Sequence, residues 1–118
     1  MNEIYERIQD KIEEAGYNVE ITIDPQTRNG FFSFETWTDS AGENVIIEFD
    51  FTADENGDNL RNMLYQYASD FDVDDYAMPY IEARGTHGIP TSIRTILDSA
   101  EEVGEIYNEV SRIVNTVR

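Results

Sequence analysis

Residues 44–52 read Asn-Val-Ile-Ile-Glu-Phe-Asp-Phe-Thr, and this stretch decides the class of fold. Every second residue from Val45 to Phe51 is large and apolar, which is the period-2 pattern of a strand buried on one face. Glu48 and Asp50 then fall on the opposite face. The stretch therefore predicts a strand whose inward face belongs to the core and whose outward face carries carboxylates.

Two further strands are predicted before this one. Val19 to Asp24 alternates apolar and polar residues, and Phe31 to Thr38 is a second segment rich in strand-forming residues. Residues 39–42, Asp-Ser-Ala-Gly, have the composition of a hairpin turn. Because both connections are short, the sequence predicts a three-stranded antiparallel meander.

Helices are predicted on both sides of the sheet in the sequence. Asn2 to Ala15 has apolar residues at helical spacing, and a second helix begins at a cap formed by Asp58 or Asn59. A shorter helical turn is predicted around Tyr76 to Ala83, where Pro79 allows only an early position. We expect the first helix and the last helix to cover the buried face of the sheet.

The last helix has the longest apolar stripe in the chain. After a cap at Thr91 or Ser92, apolar residues recur every three to four positions up to Val117. Such a helix is ~39 Å long, against ~27 Å for an eight-residue strand, so it overhangs the sheet or packs on the other helices as well. We predict packing within the monomer. A self-association seam in a homodimer is the alternative.

These elements predict one α+β domain over residues 1–118, in the order α-β-β-β-α-(α)-α with a long C-terminal helix. The chain length suits a single domain, and an apolar content of 40% is sufficient for a core.

The charge of the chain is strongly negative. It has 25 Asp and Glu against 8 Lys and Arg, for a formal net charge of -17. Such a chain is repelled by phosphate backbones and by anionic membranes, so neither is an expected partner. It has no cysteine, no basic leader followed by an apolar run, and no run long enough to span a bilayer. We therefore expect a cytoplasmic protein.

The negative charge is concentrated in residues 29–83. This span has thirteen acidic residues and one basic residue, Arg61, and so carries -12 of the net charge. Self-repulsion on this scale weakens a fold, and a soluble domain does not need it. The concentration favours a function for the charge, with solubility as the competing explanation.

The outward face of the predicted sheet collects part of this charge. Side chains on one face lie ~6.6 Å apart along a strand and ~4.8 Å apart between strands, spacings that resemble those of neighbouring phosphates. The face is either a solvated surface or an anionic surface for a cationic protein partner, with an aromatic residue as a possible anchor. Five carboxylates are assigned to it: Glu20, Asp24, Glu35, Glu48 and Asp50. The predicted partner-binding residues are Glu20, Glu35, Trp37, Glu48 and Asp50.

Two acidic runs have the alternating carboxylates of a calcium-binding loop. Residues 54–65 have Asn59 where an EF-hand loop requires glycine and Tyr65 where it requires a bidentate Glu. Residues 70–75 begin a run that departs from the motif in the same way. We therefore predict no metal ligand, and expect helix caps from Asp58, Asp74 or Asp75.

Residues for catalysis are few. His87 is the only histidine and lies in a loop between two glycines. The chain has no motif for a nucleophile, a phosphate-binding loop or a metalloprotease. We predict no catalytic residue and no cofactor. A small metal-dependent enzyme stays an alternative, and it requires a cleft in which carboxylates converge with His87 or bind a divalent ion.

In size, charge and α+β organisation the chain resembles small acidic proteins of mobile elements and phages. These include antirestriction and anti-CRISPR DNA mimics and immunity proteins that neutralise nuclease toxins. The resemblance is carried by the charge of residues 29–83 and by no motif, so it transfers no functional residues. It implies a non-enzymatic accessory or inhibitor protein that binds a basic protein surface, such as the nucleic-acid groove of a processing enzyme.

Overall fold

The computed structural model describes residues 3–117 and has an α+β fold in the predicted order. The start of the first helix at Asn2 lies outside the described residues. The other predicted helices are present, and the segment after the second one forms a full helix of ten residues. The elements are α1 (Glu3–Glu14), β1 (Asn18–Ile23), β2 (Asn29–Trp37), β3 (Asn44–Thr52), α2 (Asp58–Asp70), α3 (Val73–Glu82) and α4 (Ile93–Thr116).

The three strands form the predicted antiparallel meander in the order β1-β2-β3. Ile21 lies opposite Phe32, which in turn lies opposite Phe49, so the inward-facing side chains form rows across the sheet. The burial of β3 alternates without a break, as its sequence predicts. The prediction of a sheet with one face in the core is therefore confirmed.

Helices α1, α2 and the C-terminal half of α4 pack against the inward face of the sheet. The ring of Phe51 lies 5.8 Å from that of Tyr5 in α1, and the ring of Phe49 stacks 5.6 Å from that of Tyr67 in α2. Val110 and Val114 of α4 are fully buried in the same cluster. The expected cover from α1 and α4 is confirmed, and α2 contributes in addition.

Helix α4 extends beyond this core. It begins after Ser92, whose hydroxyl accepts a hydrogen bond from the Thr95 amide at 3.3 Å. Its N-terminal half packs on α3 in a second hydrophobic cluster that contains Ala77, Ile96 and Ala100. The molecule is accordingly elongated, at 48 × 25 × 22 Å. The predicted overhang is present. The apolar stripe of α4 packs within the chain over most of its length, while Ile93 at its start is 44% exposed.

The β2–β3 hairpin is fixed to α4 by one carboxylate. Glu102 accepts hydrogen bonds from the Asp39 amide at 2.6 Å and from the Ser40 amide at 2.9 Å, and also from the Ser40 hydroxyl. Partial burial by itself raises the pKa of Glu102, but these hydrogen bonds outweigh it and hold the pKa below its usual value. The ionised form of Glu102 therefore stabilises the hairpin.

Candidate protein-binding face

The outward face of the sheet is open to solvent and combines charge with large apolar side chains. Phe31, Trp37 and Ile46 are 39%, 50% and 49% exposed. Glu20, Glu48 and Asp50 are exposed, and Glu35 is half-buried. We call the outward-facing residues of β1, β2 and β3 the acidic face.

The strand register brings the predicted binding residues together. Glu20 and Glu48 lie on either side of Ser33 in one row across the sheet, and Asp50 lies opposite Phe31 in the next row. On the other side of the Ser33 row, Glu35 lies opposite Ile46. Trp37 ends the face at the hairpin, opposite Asn44. All five predicted residues are therefore on one surface.

Asp24 does not belong to this surface, and its assignment to the acidic face is wrong. Strand β1 ends at Ile23, and Asp24 begins the turn to β2. Its carboxylate accepts hydrogen bonds from the amides of Gln26 at 2.8 Å and Thr27 at 3.4 Å. These bonds lower the pKa of Asp24. An aspartate before proline favours this local turn over continuation of the strand.

The carboxylates of the acidic face have neutral neighbours. Ser33 Oγ donates to Glu48 Oε2 at 3.0 Å, and Asn44 Nδ2 donates to Glu35 Oε2 at 3.3 Å. Within residues 3–117, none of the four carboxylates forms an ion pair. Their charge is therefore available to a partner.

Arg61, the one basic residue of span 29–83, is withdrawn from the surface. It is only 5% exposed and pairs with Asp58 at 3.2 Å. Its guanidinium donates to the carbonyl of Val114 at 3.3 Å and to the carbonyls of Asn56 and Val117. Most acidic residues of the span are therefore exposed, whereas its one basic side chain is buried and bonds to backbone carbonyls.

Sequence reasoning missed Ile46. The alternation of β3 places Ile46 outward beside Glu48, so the period of the strand contained the signal for it. With Ile46, the apolar residues are distributed along the face: the row of Glu20, Ser33 and Glu48 separates Phe31 from Ile46, and Trp37 lies in the row next to Ile46. This is the mixture of anchors and charged surroundings found at protein interfaces.

A second candidate site is a cavity of about 170 Å³ behind the β2–β3 hairpin. The half-buried Glu43 accepts hydrogen bonds there from the Tyr76 hydroxyl and, at 3.0 Å, from Ser99 Oγ. His87 and Gly88 both have positive φ, at 48° and 78°, in the tight turn that borders the cavity. The lining residues are Ala41, Gly42, Glu43, Tyr76, Tyr80, His87, Gly88, Ile89, Pro90, Ile96 and Ser99.

This cavity was not found from the sequence, because its residues come from four separate segments. Glu43 and His87 both line it, so it offers one carboxylate on the same cavity as His87, where the enzyme alternative requires several carboxylates or a divalent ion. Burial and then the hydrogen bond to Glu43 raise the pKa of Tyr76 far above its usual value, so that its hydroxyl remains a neutral donor. The sequence offered no spacing that relates these residues.

The two acidic runs form helix caps, but through other residues than predicted. Asp54 accepts hydrogen bonds from the amides of Asp58 at 3.0 Å and Asn59 at 3.2 Å at the start of α2. Asp72 accepts from the Asp75 amide at 3.1 Å at the start of α3. The prediction that Asp58, Asp74 or Asp75 would be the cap is therefore wrong, because the capping carboxylate precedes the amides that it accepts from.

The comparisons with known proteins give no relative. Neither a family model nor a curated protein nor a solved structure matches the chain. Across residues 3–117, no three or more His, Asp or Glu are grouped so that they could hold a metal ion. None of the helices in this part of the chain is long and apolar enough to cross a membrane. The fold class is α+β.

Proposed function

We propose that the chain is a non-enzymatic binding protein whose acidic face docks on a basic protein surface. The observation that carries this proposal is a sheet face on which four carboxylates lack a cation and surround exposed Trp37, Phe31 and Ile46. Solvation of the sheet face explains its charges, but it does not explain three exposed large apolar residues on the same face.

Charge and apolar residues have separate roles in this proposal. Attraction between the carboxylates and Lys or Arg side chains of the partner speeds encounter and sets orientation. Trp37 and its apolar neighbours supply contact area that excludes water once the surfaces meet. Because the charges are exposed, the attraction is screened within ~8–10 Å at physiological salt.

The size of the face limits the interface. Two strands of nine residues and one of six cover roughly 400 Å², whereas a stable interface buries about 800 Å² on each partner. The partner must therefore also contact surface beyond the sheet. Span 29–83 continues into α2 and α3, and its acidic residues extend the negative surface in that direction.

A nucleic-acid groove is the basic surface that we favour for the partner. Such a groove is lined with Lys and Arg that are spaced to meet phosphates. Carboxylates on a regular sheet offer a repeated negative charge at comparable spacing. The resemblance to acidic antirestriction, anti-CRISPR and immunity proteins supports the same class. Nucleic acid should then compete with the chain for its partner.

The test begins with capture of the partner from the native cell and then measures association rates for the purified pair. The triple variant E35Q/E48Q/D50N removes three charges from the acidic face. The matched control D10N/E101Q/E105Q removes three charges from exposed helix positions. We expect the face variant to associate about tenfold more slowly and to lose most of the salt dependence, with the control close to wild type. Equal rates for the two variants would refute the proposal.

A small enzyme is the second candidate, favoured by the meeting of Glu43 and His87 in one cavity. Thermal unfolding with Ca²⁺, Mg²⁺ and Mn²⁺ tests the metal-dependent form of this candidate. A large stabilisation at low ion concentration that is lost in E43Q would favour it over a binding protein. Stabilisation that persists in E43Q would reflect general screening of the acidic chain.

A further inference from the structure

We propose that the cavity behind the β2–β3 hairpin binds a single organic cation, a primary ammonium or a guanidinium group. The cavity is lined by the hairpin, by α3 and α4, and by the loop that contains His87. None of its lining residues belongs to the acidic face, so this proposal is independent of the proposed function.

The charge of the cavity is the first argument. Glu43 is partly buried, and the groups that donate to it, Tyr76 and Ser99, are neutral. Ser99 Oγ is itself 2.9 Å from Thr38 Oγ1, so the network continues inward through further neutral hydroxyls. Within residues 3–117, Glu43 forms no ion pair, and no Lys or Arg lines the cavity. A bound cation would supply the opposite charge that a partly buried carboxylate lacks.

The geometry leaves room at the carboxylate for a donor. A carboxylate has about four positions at which it accepts hydrogen bonds. The hydroxyls of Tyr76 and Ser99 use two of them, and the Tyr80 hydroxyl is close enough to interact with the same carboxylate. An ammonium or guanidinium group carries several N–H donors and no acceptor, so it matches the free positions. A carboxylate or phosphate ligand would meet the charge of Glu43 with its own and would be repelled.

The rings and the volume argue for a cation of limited size. Tyr76 and Tyr80 lie with their ring centroids 5.5 Å apart, and both line the cavity. Aromatic rings attract a cation placed near their faces. The volume of about 170 Å³ exceeds the ~30 Å³ of one water several times, but it is below the ~300–1,000 Å³ of pockets for drug-sized ligands. It suits the head group of a Lys or Arg side chain, with Ile89 and Pro90 beside the carbon stem.

The binding test uses methylguanidinium chloride and methylammonium chloride, with NaCl at equal concentration as the control for screening. His87 is the only histidine and lines the cavity, so its imidazole NMR signals report on this site without ambiguity. The titration is made at one constant pH. We expect a saturable shift at millimolar concentration with one or both organic cations. A shift that is linear, or that NaCl reproduces, would overturn the proposal.

Variants then locate the charge and the ring that bind. E43Q should weaken binding about tenfold or more, because it removes a charge-assisted hydrogen bond. D10N changes the net charge equally at an exposed position of α1 and should bind as wild type does. If E43Q fails to fold, cation binding by Y80L is compared with binding by Y80F. Only Y80L removes the ring, so only Y80L should bind more weakly. Binding by E43Q or Y80L that equals the binding by wild type would overturn the proposal.

A final comparison separates the two sources of such a cation. Arginine and lysine peptides blocked at both ends present the same head groups on a backbone. If a peptide binds at least as tightly as the free cation, the cavity accepts a side chain of a protein. If only the free cation binds, the ligand is a small amine or guanidine. Binding by neither would overturn the proposal.

Discussion

Replacement of Arg61 by Met should destabilise the protein more than the loss of one surface charge does. Arg61 lies in α2, yet its guanidinium donates to the carbonyls of Val114 and Val117 at the end of α4. The last carbonyls of a helix lack the amides of a following turn. The Val114 carbonyl accepts one bond from the Val117 amide at 3.3 Å, and Arg61 adds a second bond there as well as one to the Val117 carbonyl. Methionine keeps most of the carbon stem and removes these donors.

The magnitude follows from the burial of the two hydrogen bonds at the end of α4. A buried hydrogen bond to a charged group contributes about 1.5–3 kcal/mol, and water can replace the more accessible bond to Asn56. Loss of the two buried bonds therefore costs about 3 kcal/mol at the lower end of this range. Domains of ordinary stability have about 5–15 kcal/mol in total, so the change is a large part of the whole.

Urea unfolding followed by circular dichroism measures this effect. With a slope of about 1.5 kcal/mol per M urea, the midpoint of R61M should fall by about 2 M. R94M is the control, because it removes the same charge from an exposed position of α4. A midpoint of R61M within about 0.5 M of that of R94M would show that Arg61 does not hold the end of α4 in this way.

Three further predictions concern the hairpins and the core. G30A should lower the melting temperature by an amount equivalent to about 1–3 kcal/mol, because an added Cβ would lie 2.5 Å from Phe51 Cζ; unchanged melting would contradict this packing. Glu102 has a lowered pKa in the folded state, so its stabilisation is present above the ordinary Glu pKa and is lost as the pH falls. The decrease in urea midpoint from about pH 7 to about pH 3 should therefore be smaller in E102Q than in wild type. Burial first, and then the charge of Asp54, raise the pKa of Tyr5 to about 12 in the folded protein. The stabilisation of the fold by Tyr5 is therefore complete below the ordinary tyrosine pKa and is lost as the pH rises through the pKa of the folded state. Unfolding midpoints in alkali should be less pH-dependent in Y5F, and equal slopes would refute this role of Tyr5.

The fold was predictable because its signals are local. The period of two in Val45 to Phe51 sets both faces of the sheet, and the same period places Glu48 and Asp50 with Trp37 on the acidic face. Asp24 was misplaced because the alternation was continued one residue beyond Ile23, the last apolar position, whereas the Asp24 side chain bonds to the amides two and three residues on and begins the turn.

The cavity and the role of Arg61 could not be predicted, because both depend on distant parts of the chain. Glu43 meets Ser99 across 56 positions of sequence, and Arg61 meets Val114 across 53 positions. The sequence marks Arg61 only as the one cation in an acidic span, which says nothing of its burial. The composition therefore predicted the negative charge of the surface, but it did not predict the polar contacts inside the protein.

The length of α4 has a consequence for how the protein unfolds. One continuous helix belongs to both hydrophobic clusters, so a break near its middle would remove the backbone connection between them. Gly104 lies at this midpoint, where a Cβ would come within 3.0 Å of the Phe71 ring. The ring of Phe71 in turn contacts Tyr76 of α3 and Tyr107 of α4. The cooperativity of the two ends therefore depends on the backbone hydrogen bonds of α4, on the Phe71 ring packed against Gly104, and on the bonds of Glu43 and Glu102 between the hairpin and α4.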